Sequence, residues 1–504
     1  MAEEVPTLGR ARPDSARNVR IYRPVEGGRP MTFNRRNLIA RNSDRGRAVP
    51  VNRDSQRNSW ALPAIFILLI TINSSARSDP ELEKFLQGTA VTPALSGIQV
   101  GILQRNEITE TFAYGFAQRV GDVNEPLRVQ HKVRVASISK LLVAVGVMRL
   151  VERGYLTLDN DVSNYLGWKL RNPLFPQTEV TLRMLLDHTS SVRDGNRYYI
   201  AAGEGRLQDF FDPDTDFWDA GAHWGDRRVE VPGSYFQYAN LNSGLLAEVI
   251  ERVSGQRFDQ FMEHEVIAPL NMTGSFNPCS LPSDQRAAGF RKRDPSGQWD
   301  PRGPWYSQVD GDASNCFYGM SALDDPEKFL INYPPGSNAS LFSPQGGFRG
   351  NVIDLMALLK LFSSNGRLGG QAYLTPESIN KMLAPSWSLN ARGDNGVSSG
   401  EAEPGGAFDG LMTSYGLSVH RIDPRSWGFL DAPELLVGHL GEAHGVLSSA
   451  LLDPQTGNGI VIIITGTADD PANHPGHSPL YRVEESVITW WLDQLNDGTA
   501  NLDP

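Results

Sequence analysis

Val133-Arg134-Val135-Ala136-Ser137-Ile138-Ser139-Lys140-Leu141-Leu142 is the stretch on which the fold turns. A strand-like run, 133–136, gives way to a helix read over 137–153, where Leu141, Leu142, Val145, Met148 and Val151 recur at spacings of three and four before Gly154 stops the pattern. Such a stripe marks a core helix. Ser137 and Lys140, three apart at its start, face the same way. They offer a nucleophile, an amine that can take its proton once burial lowers the amine's pKa, and the backbone N–H groups of a helix start to hold negative charge. Spacing alone is weak evidence, because Ser378-Ile379-Asn380-Lys381 has it too, in what reads as a surface helix.

Upstream of this stretch, 80–86 reads as a short helix, and 96–103 and 108–117 as two strands joined by the turn Gln104-Arg105-Asn106-Glu107. Downstream, from about 159 to 380, helical patches at 182–186, 245–253, 258–266 and 352–363 alternate with loops rich in Gly, Pro and Asp. Strand patterns return at 413–422, 445–452 and 459–466, the last two flanking the turn 453–458, and a helix over 483–495 closes the pattern. Strands at both ends with helices between them predict an α+β, two-lobed fold. Its antiparallel sheet would be built from both ends of the chain and flanked by helices, with an inserted, mainly helical lobe and a cleft between the lobes.

The composition of the 504 residues, 40% apolar and 21% charged, excludes a fibrous, low-complexity or polytopic membrane protein. Residues 1–58 hold 13 Arg, no Lys and six acids, whereas the rest is strongly acidic. The Arg-rich segment lacks an apolar period and is expected to be disordered; the acidic body offers no footprint for nucleic acid. The apolar run within 59–76 (WALPAIFILLITI at its centre) follows a basic flank and ends in small residues. It reads as a secretory signal or as a single membrane anchor. With 13 apolar-run residues including Pro63, it is short for a span of about 20, which favours cleaved export. Either way the body, 80–496, is placed outside the cytoplasm, with 497–504 as a C-terminal tail. Cys279 and Cys316 are expected to be two buried thiols, although one bond between them is open in an oxidising compartment.

The company of Ser137 and Lys140 sharpens the reading. Tyr238-Ala239-Asn240 follows about a hundred residues later, and His439-Leu440-Gly441 precedes the strand at 445–452. Ser-x-x-Lys, Tyr-x-Asn and Lys/His-x-Gly in this order resemble the three motifs of the serine β-lactamase and penicillin-binding protein superfamily. The class C β-lactamase-like branch is the nearest likeness: Leu185-Leu186-Asp187-His188-Thr189-Ser190 is similar to its "LL-x-HTS" segment, and Pro232-Gly233 through Asn240 to its "PG...F-x-Y-x-N" element. The resemblance covers roughly 89–495. It implies that Ser137 is acylated, that Lys140 activates it, and that Tyr238 relays a proton to the leaving group with Lys140 and His439 as cationic neighbours. It further implies that Asn240 orients Lys140 and meets a substrate amide, and that the N–H groups of Ser137 and Glu442, beside Gly441, form the oxyanion hole. No cofactor and no metal are implied.

Two departures bear on substrate. His439 stands where many true β-lactamases have the Lys that holds a carboxylate, which favours peptidase or esterase chemistry. Glu442 adds an acid beside the site and is expected to face solvent. His188 reads as a buried structural residue, and the aromatic and acidic segment 198–224 as the small core of an inserted loop. The expectation is a serine hydrolase acting on a small-molecule or peptide substrate, a D-amino peptide, ester or β-lactam. The alternative is a penicillin-recognising sensor that acylates without turnover. Oligomeric state is not legible.

Overall fold

Strand β1 (Leu95–Gln104) and strand β2 (Glu107–Val120) form the hairpin from which the sheet grows. Arg105 and Asn106 sit at φ 50° and 69°, the left-handed pair that closes a two-residue turn in register with the strands' twist. In this computed structural model the described residues are 79–500, apart from 89–92, 121–122, 313–315, 321, 403 and 471–475. The disordered segment expected at 1–58 and the signal or anchor expected at 59–76 lie outside them, as do residues 501–504.

The other strands of this sheet are β3 (Val123–Pro126), β4 (Trp387–Ser388), β5 (Ser414–Tyr415), β6 (His420–Ile422), β7 (Leu436–Ala443), β8 (Val446–Leu452) and β9 (Gly459–Thr467). They lie in the order β4-β5-β6-β7-β8-β9-β1-β2-β3, every neighbouring pair antiparallel. β1 therefore pairs on one side with β2 and on the other with the last strand, the closure from both ends that the sequence predicts. Alternation along the strands divides the two faces. Ile98, Val100, Ile460, Ile462 and Ile464 pack with Val483, Val487, Ile488 and Trp491 of the closing helix. Val461, Ile463, Ala450 and Leu103 pack into a larger core with the helical lobe. That lobe is built on α2 (Ser139–Glu152), α3 (Leu241–Ser254) and α4 (Val352–Ser363), nearly all of α2 and α3 being buried.

Five expectations need correction or completion. The run 413–422 is not one strand but the tight hairpin β5–β6: Gly416 N–H donates to Val419 at 2.8 Å and Ser418 takes φ 56°. The motif containing His439 precedes the strand at 445–452 as read, but it lies in a further strand, β7, that the pattern does not announce. The closing helix runs Arg482–Ala500, so a tail does not begin at 497. The aromatic segment does not make its own small core, because Leu207, Phe210 and Trp224 join the main one. Finally, Cys279 and Cys316 are half-buried and bonded to each other, with Cα atoms 5.0 Å apart, closing a separation of 37 residues. Among the described residues no helix is long and apolar enough to cross a membrane.

Candidate active site

The nucleophile turn is anchored before it is aimed. Val133–Arg134 pairs with Arg349–Gly350, and the Arg349 guanidinium meets the Asp310 carboxylate at 3.1 and 3.2 Å, both residues almost fully buried. The chain then makes a 3-10 turn, Ala136–Ile138, into α2. Ala136 stands at φ 48°, a left-handed conformation that costs a residue with a Cβ about 1 kcal/mol or more. Ser139 pins this strained residue: its Oγ donates to Ala136 O at 2.7 Å and accepts the Phe348 N–H at 3.1 Å. Ser137 emerges from the turn 9% exposed, at the edge of the cleft.

Lys140 lies one helical turn on, 1% exposed. Its Nζ is 2.9 Å from Ser137 Oγ, 2.8 Å from Asn240 Oδ1 and 2.8 Å from the Gln345 carbonyl. Burial lowers its pKa to about 8, with Glu401 and Asp194 acting in the opposite sense. A neutral amine has two hydrogens and one lone pair. Asn240 and Gln345 accept the two hydrogens, which leaves the lone pair for the Ser137 hydroxyl proton.

Tyr238-Ala239-Asn240 enters α3, and His188 sets its path. His188 is at φ 58° and 2% exposed; its Nδ1 accepts from Ala239 N–H and from the Asn242 amide, each at 3.1 Å, and its ring stacks on Tyr238 with centroids 4.3 Å apart. The structural role expected of His188 is the one found. Lys140 Nζ stands 4.7 Å from the centre of the Tyr238 ring. Burial nevertheless pushes the Tyr238 pKa well above its ordinary value, Tyr415 and Glu401 add to the rise, and the nearby Ser137 hydroxyl opposes it. Tyr238 is thus a phenol that can hand on a proton, not a resting phenolate.

Asn240 departs from its expected second role. Its Oδ1 serves Lys140, while its Nδ2 donates to Asp194 Oδ2 and to Glu401 Oε1, both at 3.0 Å. An amide nitrogen carries two hydrogens, so none is left for a substrate carbonyl.

β7 forms the facing wall. His439 is fully buried. Its Nε2 accepts the Tyr415 hydroxyl at 2.9 Å and its Nδ1 faces the Leu440 carbonyl, the tautomer that satisfies both. Burial, then His420 and Lys140, hold its pKa well below the ordinary range. It is therefore a neutral group packed behind Tyr238, ring centroids 6.3 Å apart, and not the cationic neighbour or carboxylate holder its position suggests. Gly441 lets the strand graze the nucleophile, since a Cβ there would stand 2.9 Å from Ser137 N and 2.5 Å from Ser448 Oγ. Glu442 does not simply face solvent; it lines the cleft and accepts from Tyr481 Oη at 2.8 Å and Arg291 Nη2 at 3.1 Å.

The sequence gives no notice of four residues at this site: Asp194, Glu401, Tyr415 and His420. Burial raises the Asp194 carboxyl to about 6. His420 is 2% exposed, its ring 4.1 Å from that of His439, and neither ring nitrogen has a protein partner. The cleft, of about 370 Å³, is lined by Ser137 and Tyr238, by apolar residues including Leu411, Met412, Leu440 and Leu447, and by Glu401, Glu442 and Glu484. The second Ser-x-x-Lys lies elsewhere: Thr375 caps the helix Pro376–Leu383, its Oγ1 accepting the Ser378 N–H at 3.2 Å, and Lys381 pairs with Glu377 at 2.7 Å.

The family model described as Beta-lactamase matches residues 82–477. Esterase EstB of Burkholderia gladioli is 33% identical over 188 residues, 35% of this chain and 46% of that protein. Protein flp of Staphylococcus aureus (strain N315) is 24% identical over 218 residues, 42% of this chain and 41% of that protein. The chain thus spans less than half the length of these curated relatives. Among solved structures, the D-amino acid amidase from Ochrobactrum anthropi SV3 in complex with D-phenylalanine superposes with a TM-score of 0.53 at 20% identity, over 80% of this chain and 95% of that one, a likeness of fold.

Proposed function

This chain belongs to the Beta-lactamase family, and from that premise we propose that it is a serine hydrolase that cleaves an ester or amide through an acyl-enzyme on Ser137. The observation that carries the reading is the set of partners of Lys140, which leaves one lone pair for the Ser137 proton at 2.9 Å. In the proposed reaction Ser137 Oγ attacks the acyl carbon as its proton passes to Lys140. The oxyanion is held by the N–H groups of Ser137 and Glu442. Lys140 returns the proton across Tyr238 to the leaving oxygen or nitrogen, whose bond to the acyl carbon breaks. Water then attacks the acyl-enzyme, gives its proton back along the same route, and frees Ser137.

The buried, neutral His439 supports an esterase or amidase over a dedicated β-lactamase, because no fixed cation stands at that position to take a substrate carboxylate. The Cys279–Cys316 bond supports an exported protein, in keeping with an oxidising compartment.

The test is release of p-nitrophenol from p-nitrophenyl butyrate by the full chain. Ser137→Ala is expected to lose at least about 10³-fold in kcat while its melting temperature stays within about 2 °C. Retained hydrolysis in a folded Ser137→Ala protein overturns the reading.

A further inference from the structure

Glu401 occupies an unusual station. It is exposed, lines the cleft beside Ser137 and Tyr238, and also lines the neighbouring polar recess with Asp194 and Asp226 and with Arg193 and Arg227, two cations turned to Glu230 at 3.4 and 2.6 Å. Its Oε1 takes one hydrogen from Asn240, and a carboxylate offers about four lone-pair sites. Asp194 takes the other Asn240 hydrogen and the Leu241 N–H. The side chain expected to donate to substrate is therefore spent on two carboxylates, and what the cleft presents at that place is an acceptor with negative charge. Among the described residues lining the cleft none is Lys or Arg. The Arg291 charge is turned to Glu442, 3.1 Å away. Lys140, the buried amine near Glu401, stands behind Ser137 and Asn240.

We infer that recognition at this site is inverted in polarity: Glu401 is a specificity-determining residue that selects substrates bearing an ammonium group near the scissile ester or amide and turns away those bearing a carboxylate. The inference rests on the proposed hydrolase reading. A charged hydrogen bond in a partly shielded cleft discriminates by roughly tenfold to a hundredfold, and a like charge at the same place discriminates in the opposite direction. The buried, neutral His439 fits the same selection, since it offers an anion no counter-charge.

The test uses three p-nitrophenyl esters of equal chain length, ending in an ammonium, a methyl or a carboxylate group. Hydrolysis of the methyl ester that depends on Ser137 establishes the underlying reading independently. For the wild type, kcat/KM is expected to fall by about tenfold or more from ammonium to methyl, and again from methyl to carboxylate. Glu401→Gln keeps an acceptor for Asn240 but removes the charge, and is expected to shrink the ammonium-to-methyl ratio about tenfold, mainly through KM. Raising NaCl from 0.05 to 0.5 M is expected to shrink the wild-type ratio and to leave that of Glu401→Gln nearly flat. Equal kcat/KM for the three esters, or a ratio unmoved by Glu401→Gln and salt, overturns the inference while leaving the Ser137 chemistry standing.

Discussion

The two walls of the cleft are built on opposite terms. On the helical side, the polar atoms of Lys140 and Asn240 are all engaged, by Ser137, Gln345, Asp194 and Glu401. On the strand side, two histidines are buried against aromatic rings, and their polar atoms are only partly met. His439 has Tyr415 and the Leu440 carbonyl, whereas both nitrogens of His420 lack a protein partner. The first wall is a device for moving a proton, held in one geometry by its hydrogen bonds. The second is an uncharged backing that keeps Tyr238 in place and the local dielectric low, which strengthens the electrostatics of the first. Chemistry concentrates where partners are complete.

Substitutions can break or sharpen this contrast. The largest effect is expected for Lys140→Met, a loss of about 10³-fold or more in kcat, because it removes the proton acceptor of the engaged wall; a loss under tenfold would move the base elsewhere. On the histidine wall, His439→Phe is expected to cost about tenfold in activity and about 1–3 kcal/mol in stability, measured by denaturant unfolding, since it strands the buried Tyr415 hydroxyl.

A pH profile of kcat/KM follows in size. Activity is expected to rise with pH to a plateau above an inflection near pH 8, where Lys140 gives up its proton. The sign in stability is related. The folded state lowers the Lys140 pKa below its unfolded value, so between about pH 8 and 10.5 the unfolded chain binds more protons, and this group makes stability rise with pH through that window. An inflection near 10 would mean that burial does not tune the lysine. The smallest effect is expected for His420→Leu: a stability change between zero and about 1 kcal/mol in the stabilising direction, because the imidazole it removes has buried nitrogens without protein partners. A loss above 2 kcal/mol would contradict the description of that wall.

The same contrast decides what the sequence could reveal. The hairpin of β1 and β2, helix α2 and strands β8 and β9 are legible because local periodicity and turn residues agree with tertiary burial. The trio Ser137, Lys140 and Tyr238-x-Asn240 is legible because short spacing fixes which side chains share a face. The strand wall is not. Gly416-Leu417-Ser418-Val419 lacks the Asn-Gly or Asp-Gly signal of a tight hairpin, so 413–422 reads as one strand, and the turn that brings Tyr415 beside His420 goes unseen. Glu401 reaches Asn240 from 161 residues away and Asp194 from 46, out of loops without period. The bond between Cys279 and Cys316 likewise depends on two loops meeting, which spacing does not encode. Even the charge of His439 is a tertiary property, because the same residue exposed on the surface would titrate near neutrality.

The central claim, an acyl-enzyme on Ser137 fed by a neutral Lys140, is tested most directly by rapid-quench intact-mass spectrometry of the full chain mixed with p-nitrophenyl butyrate, followed by peptide mapping. A transient addition of one butyryl group, located on Ser137, absent from Ser137→Ala and slow to form in Lys140→Met, is the predicted result. Turnover without any adduct on Ser137, or an adduct that forms equally fast in Lys140→Met, would contradict the account.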